Sequence, residues 1–250
     1  YNWSFSRFKN FLVVHLEIKN AGRTLDSLYV ALYTELASGN KAGYSSWPPS
    51  AAAGGTLGGW FNKKLLKYDV NARLLGEHYC SSYGSGESSC QFEICPPWVG
   101  VQLLGVHPDT VANKRVTSFI ANYSPGDTTR DQDVERYGLM SSGHISPADS
   151  LLPGFAAEGR ANDPTNFLGV GPFNQLAPDS AIVVDFAFVG GNDYEDLLEN
   201  AKFAQLAFNF NYVIPTPPPS PRLTAVPEEG VLNLYWDHSP EETVDKTSPA

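Results

Sequence analysis

Ala181-Ile182-Val183-Val184-Asp185-Phe186-Ala187-Phe188-Val189 carries β-branched or aromatic residues at six of nine positions and one charge, Asp185. A run this short and this apolar reads as a strand buried on both faces, at the centre of a sheet. Asp185 then needs a partner or an outward face, because an unpaired carboxylate is costly to bury. Outward from this strand, residues 11–19 (FLVVHLEIK) alternate and stop at a turn signal, Asn20-Ala21-Gly22. Val14, Leu16 and Ile18 fall on one face; Val13, His15, Glu17 and Lys19 fall on the other. Residues 28–36, 98–106, 114–123 and 166–171 complete six predicted strands. The chain holds 22 Gly and 19 Pro among 250 residues, which suits short strands joined by many turns better than a helical bundle. The expected fold is mainly β: a two-sheet β-sandwich over residues 1–212 with one docked helix.

That helix is predicted near residues 193–208. Asn192 or Asp193 can cap it, with Glu195 three residues after Asn192 as in a capping box. Tyr194, Leu197, Leu198, Ala201, Ala204, Leu206 and Phe208 recur near helical spacing. Asp193, Glu195 and Asp196 crowd the first turn, where the helix dipole favours negative charge. Residues 39–59 and 124–155 have no regular pattern and are expected to be long loops, the first place to look for binding.

Pro215-Thr216-Pro217-Pro218-Pro219-Ser220-Pro221 has five prolines in seven residues, which favour stiff polyproline II and exclude a sheet interior. Residues 213–221 therefore read as a linker. Beyond it, residues 221–226, Pro227-Glu228-Glu229-Gly230 and residues 231–236 form a strand, turn and strand. Val231, Asn233 and Tyr235 alternate with Leu232, Leu234 and Trp236. With Trp236 and the following Asp237-His238-Ser239-Pro240-Glu241, this pattern resembles the opening strands of a fibronectin type III domain. The resemblance covers residues 221–250 and implies that residues 222–250 begin a second sandwich belonging to a longer parent chain.

A second resemblance spans residues 98–212. It rests on Tyr137-Gly138-Leu139-Met140-Ser141-Ser142-Gly143, Phe167-Leu168-Gly169-Val170-Gly171-Pro172-Phe173 and Leu176-Ala177-Pro178-Asp179-Ser180, then on the strand ending at Gly190-Gly191 and the helix after it. In that order they look like an uncharacterised β-sandwich region of long secreted bacterial proteins, which precedes fibronectin-like modules. The resemblance implies a secreted or cell-surface location and no chemistry.

The 17 Lys and Arg stand against 27 Asp and Glu, a formal net charge of -10. That sign argues against nucleic acid as a partner, because neutralising phosphates takes clustered cations. No run of about 18 apolar residues exists, so no membrane insertion is expected. The chain starts at Tyr1 without Met, which reads as a mature or trimmed N-terminus. Cys80, Cys90 and Cys95 lack the paired spacing of a zinc site. Read as extracellular cysteines, two of them close a short disulfide loop. Cys80 with Cys90 flanks a Ser/Gly-rich turn, and Cys80 with Cys95 is the alternative.

No catalytic constellation emerges, and the chain is not read as an enzyme. His15, His78, His107, His144 and His238 show no metal-ligand spacing and read as surface or turn histidines. No G-x-S-x-G elbow occurs, and no carboxylate pair stands out in so acidic a chain. The one cofactor considered is calcium, with Asp127, Asp131, Asp133 and Glu135 as candidate oxygen ligands on a loop. That loop lacks the glycine of an EF-hand and carries Arg130. Trp47, Trp60 and Trp98 are candidate platforms for sugar rings, with Trp47 beside Pro48-Pro49 foremost. Asn2-Trp3-Ser4 and Asn122-Tyr123-Ser124 fit the glycosylation sequon, which carries no weight in a bacterial protein.

The expected role is a non-catalytic structural or adhesion module of a larger extracellular or cell-surface protein. Its partners would be other protein domains or copies of itself, met by strand pairing that can extend into filaments. The alternative is a carbohydrate-binding module that takes polysaccharide on its loop aromatics.

Overall fold

A computed structural model of the chain describes residues 7–34, 36, 64–79, 97–123, 132–145, 149–151, 163–214 and 219–242. The strands are β1 (Phe11–Lys19), β2 (Leu28–Thr34), β3 (Lys64–Asp69), β4 (Leu74–Tyr79), β5 (Trp98–His107), β6 (Arg115–Tyr123), β7 (Asp149–Leu151), β8 (Asp163–Phe173), β9 (Ala181–Gly191), β10 (Leu223–Glu228) and β11 (Val231–Trp236). The α-helices are α1 (Asp133–Ser141), α2 (Tyr194–Asn209) and α3 (Ser239–Glu242). The protein is mainly β, with three antiparallel sheets and few helices. It divides into two compact units, Tyr1–Gln205 and Leu206–Ala250.

In the first unit a six-stranded sheet runs β1-β9-β5-β4-β3-β7 and a three-stranded sheet runs β2-β8-β6. β9 lies between β1 and β5, which accounts for its near-continuous apolar sequence. Ile182, Val184 and Phe186 of β9, Val101 and Leu103 of β5 and Leu75 of β4 face Val30, Leu168, Val170 and Phe173 of the smaller sheet. Those side chains are the sandwich core, and their removal from water is the main stabilising term. A polar contact crosses it: Asn166 Nδ2 donates to Glu77 Oε2 at 3.1 Å, both residues being buried.

The opposite face of the large sheet carries α2. Asp193 caps that helix, its Oδ1 accepting from the Asp196 backbone N–H at 2.8 Å. Asp196, rather than Glu195, is the acid that reaches back, accepting from Asn192 N at 2.8 Å. The cap sits one residue later than Asn192, so the third helical position falls on Asp196. Tyr194 packs against Trp98 with ring centroids 5.0 Å apart, and Trp98 stacks on His78 at 5.1 Å. A β-bulge in β5 between Leu103 and Gly105 turns carbonyls out of the ladder. Arg73 collects them, donating to Leu103 O and Leu104 O at 2.9 Å each and to Gln205 Oε1 at 2.9 Å.

Asp185 has the partner its burial demands. It is 4% exposed, pairs with His15 in the β1–β9 register, and its Oδ1 lies in hydrogen-bond contact with His15 Nδ1 at 2.7 Å. His15 is thus an edge-strand residue tied to the sheet, and His78 is a core residue rather than a surface one. Trp98 is likewise buried beneath α2 and offers no exposed platform.

Residues 124–155 are not wholly a loop, since α1 and β7 lie inside them. α1 rests on the outer face of the small sheet with no fully buried residue of its own, Leu139 and Met140 being half-buried. Thr117 Oγ1 donates to Met140 O at 3.0 Å, Tyr137 OH donates to Ser27 O at 3.1 Å, and the Tyr137 ring meets that of Tyr29 edge-on with centroids 5.5 Å apart. Among the described residues no helix is long and apolar enough to cross a membrane.

Candidate functional site

The hairpin of the second unit places Leu223, Leu232, Leu234 and Trp236 in water. β10 and β11 form a two-stranded antiparallel sheet joined by Glu229-Gly230, with Gly230 at a φ of 76°. That left-handed backbone is where a two-residue turn needs glycine. The register pairs Leu223 with Trp236, Ala225 with Leu234 and Pro227 with Leu232. Direct cross-strand partners share a face, so these six residues make one wholly apolar surface. Leu223, Leu232, Leu234 and Trp236 are 54%, 59%, 43% and 60% exposed. The other face is mixed, with Thr224, Val226, Glu228, Val231, Asn233 and Tyr235 in register.

Asp237 fastens the open end of the hairpin. Its Oδ1 accepts from Ser239 Oγ at 2.7 Å and from Arg222 N at 2.9 Å. These bonds, the Ser239 hydroxyl first, hold the carboxyl below its ordinary value. A depressed carboxylate contributes stability that is present above its unfolded pKa and lost as pH falls through the folded one. The Arg222 and Ser239 amide resonances should therefore hold steady until the pH is below about 4, the ordinary Asp value, and Asp237→Ala should abolish the transition. Titration of those amides at or above that ordinary value would contradict the assignment.

Of the residues singled out by sequence, Trp47, Trp60, Cys80, Cys90, Cys95, Asp127 and Asp131 lie outside the described residues. Asp133 and Glu135 lie in the first turn of α1. Residues two apart on a helix point about 200° apart, so that turn does not present them together as a loop would. Among the described residues no group of three or more His, Cys, Asp or Glu could hold a metal ion.

Set against family models, curated proteins and solved structures, the chain matches none. The functional reading therefore rests on its own residues. Alternation in residues 231–236 already signalled a two-faced strand. What sequence reasoning missed is that the register would set Leu223, Ala225 and Pro227 of β10 opposite Trp236, Leu234 and Leu232 of β11, making one face wholly apolar.

Proposed function

We propose that this chain is a non-catalytic structural or adhesion module of a larger secreted or cell-surface protein, joined to further β structure through β10 and β11. The observation that carries the reading is the uninterrupted apolar face of a two-stranded sheet. An isolated hairpin is marginal in water, and covering a Leu or Trp on that face is worth roughly 1.5–3 kcal/mol each. Among the described residues no further strand pairs with β10 or β11, so both outer ladder edges carry unpaired backbone groups. Apolar pockets for alternate side chains beside a free ladder are what strand addition uses. The likeness of residues 221–250 to the start of a fibronectin type III domain supports the same role, as does the acidic composition. The partner is then a neighbouring β module or a second copy of this chain.

Size exclusion with light scattering on residues 1–250 tests the reading. Mass should rise with concentration, and Leu232→Lys/Leu234→Lys/Trp236→Lys should return it to that of a single chain. A single chain at every concentration, or assembly that persists in the triple variant, would remove self-pairing through the hairpin.

A further inference from the structure

At the end of the sandwich where β5 runs into β6 and β8 into β9, residues 108–114 and 174–180 enclose a half-open cleft of about 400 Å³. That volume is at the small end of the ~300–1,000 Å³ range of ligand sites. The cleft contains a buried cation. The Lys114 side chain is 5% exposed, its ammonium donates to Asp109 Oδ2, and it stands 5.2 Å from the centroid of the Phe173 ring. An ammonium has three N–H donors. Among the described residues only one oxygen accepts from it, so a charge largely withdrawn from water is left short of acceptors on the cleft side.

Asp109 is held more completely. Its Oδ1 accepts from Thr110 N at 2.8 Å and from Asn113 Nδ2 at 3.0 Å, while Oδ2 takes Lys114. Its side chain is 38% exposed. The Lys114 contact, followed by those from Asn113 and Thr110, holds its carboxyl far below the usual range, so it stays an acceptor at any working pH. The facing wall is tied to the 20–25 segment by hydrogen bonds. Asn20 Nδ2 donates to Leu176 O at 2.8 Å, Asn20 N to Ser180 O at 2.9 Å, and Leu25 and Leu176 exchange backbone hydrogen bonds at 2.9 and 3.0 Å. Asn174, Gln175 and Ser180 add amide and hydroxyl groups to the lining, and Pro108, Leu176 and Ile182 add apolar surface.

We propose that this cleft binds a neutral saccharide unit through vicinal hydroxyls that bridge Lys114 and Asp109. The pair cancels its own charge, and Asp109 together with a chain of net charge -10 repels anions. The ligand must therefore be uncharged yet accept from an ammonium and donate to a carboxylate at adjacent positions. Neighbouring hydroxyls do both. The C–H face of the same ring suits the apolar part of the lining, and the amides reach its remaining hydroxyls. This site belongs to the sandwich unit and stands independently of the hairpin reading.

The test is an amide-resonance titration of the full chain with D-glucose, D-galactose, D-mannose and N-acetylglucosamine, and separately with acetate. At least one sugar should shift resonances confined to residues 107–115 and 173–182, with little response to acetate. Lys114→Met should weaken that binding about tenfold or more, as expected when a charged hydrogen-bond donor is lost. Should Lys114→Met fail to fold, Asn174→Ala, on an exposed residue of the cleft wall, should still weaken it. Silence with all four sugars, shifts elsewhere on the molecule, equal shifts with acetate, or sugar binding unchanged in the variants would each overturn the proposal.

Discussion

Phe186→Ala is expected to lower the free energy of unfolding by about 3–5 kcal/mol, the usual cost of removing a buried aromatic ring. Phe186 is fully buried on β9, between Val14 of β1 and Leu103 of β5, and it faces the three-stranded sheet. Deleting the ring removes apolar burial and leaves a hole that neither sheet can close, because each is tied by its own ladder. Domains of this size have total stabilities of roughly 5–15 kcal/mol, so the variant should unfold at much lower urea concentration with an unchanged slope. A midpoint within error of the parent would mean that the two sheets do not share a core at Phe186.

Gly191→Ala is expected to cost about 3 kcal/mol, at the upper end of overpacking penalties. A Cβ at this position would stand 2.6 Å from Leu197 Cα and 2.9 Å from Asp193 O, and would also meet Leu197 N. All three are backbone atoms at the start of α2, so no side-chain rotation relieves the clash. The helix must retreat from the sheet, and Leu197, Ala201 and Ala204, all fully buried, would lose their packing. Urea unfolding reads the loss, and faster amide exchange over 194–205 locates it. Gly138→Ala is the matched control. Nothing lies within 4 Å of its added methyl group inside α1. That exchange should stabilise by about 0.5–1 kcal/mol through reduced freedom of the unfolded chain. Equal effects from the two substitutions would show that close approach is not what Gly191 provides.

The strands that alternate or run apolar were readable, and the reason lies in how each is buried. Along β1, Val14, Leu16 and Ile18 are half-buried against the sandwich core while His15, Glu17 and Lys19 are exposed, so residues 14–19 alternate; Phe11 and Val13, on the face of His15, are buried as well. β9 has both faces covered, so it is apolar almost throughout. The hairpin of β3 and β4 escaped notice because Leu74 and Leu75 are adjacent and both fully buried, one on each face of the sheet. A short strand buried on both sides but interrupted by Gly76, Glu77 and His78 has neither period. Its turn is held by Asp69 Oδ1 accepting from Ala72 N at 2.7 Å, with Arg73 at a φ of 49°. α1 escaped because it is short, has no side-chain cap at Gln132 and has no fully buried residue. The helix of residues 194–209 was legible because a cap and an apolar stripe are both local properties of the chain.

The sequence by itself determined the periodicities, the proline-rich break at 215–221, the acidic charge and the two-faced strand ending at Trp236. These depend on residues within one or two turns or strands of one another, and local sterics and hydropathy decide them. Only the tertiary structure decided that His15 on edge strand β1 meets Asp185 of the inner strand β9, and that one hairpin face is wholly apolar in register. Tertiary structure alone also set Lys114 and Asp109 across a cleft from Asn174, Gln175 and Ser180. Those neighbours belong to separate loops whose approach is fixed by the order β1-β9-β5 and by the packing of two sheets, and no local pattern encodes a contact between distant segments.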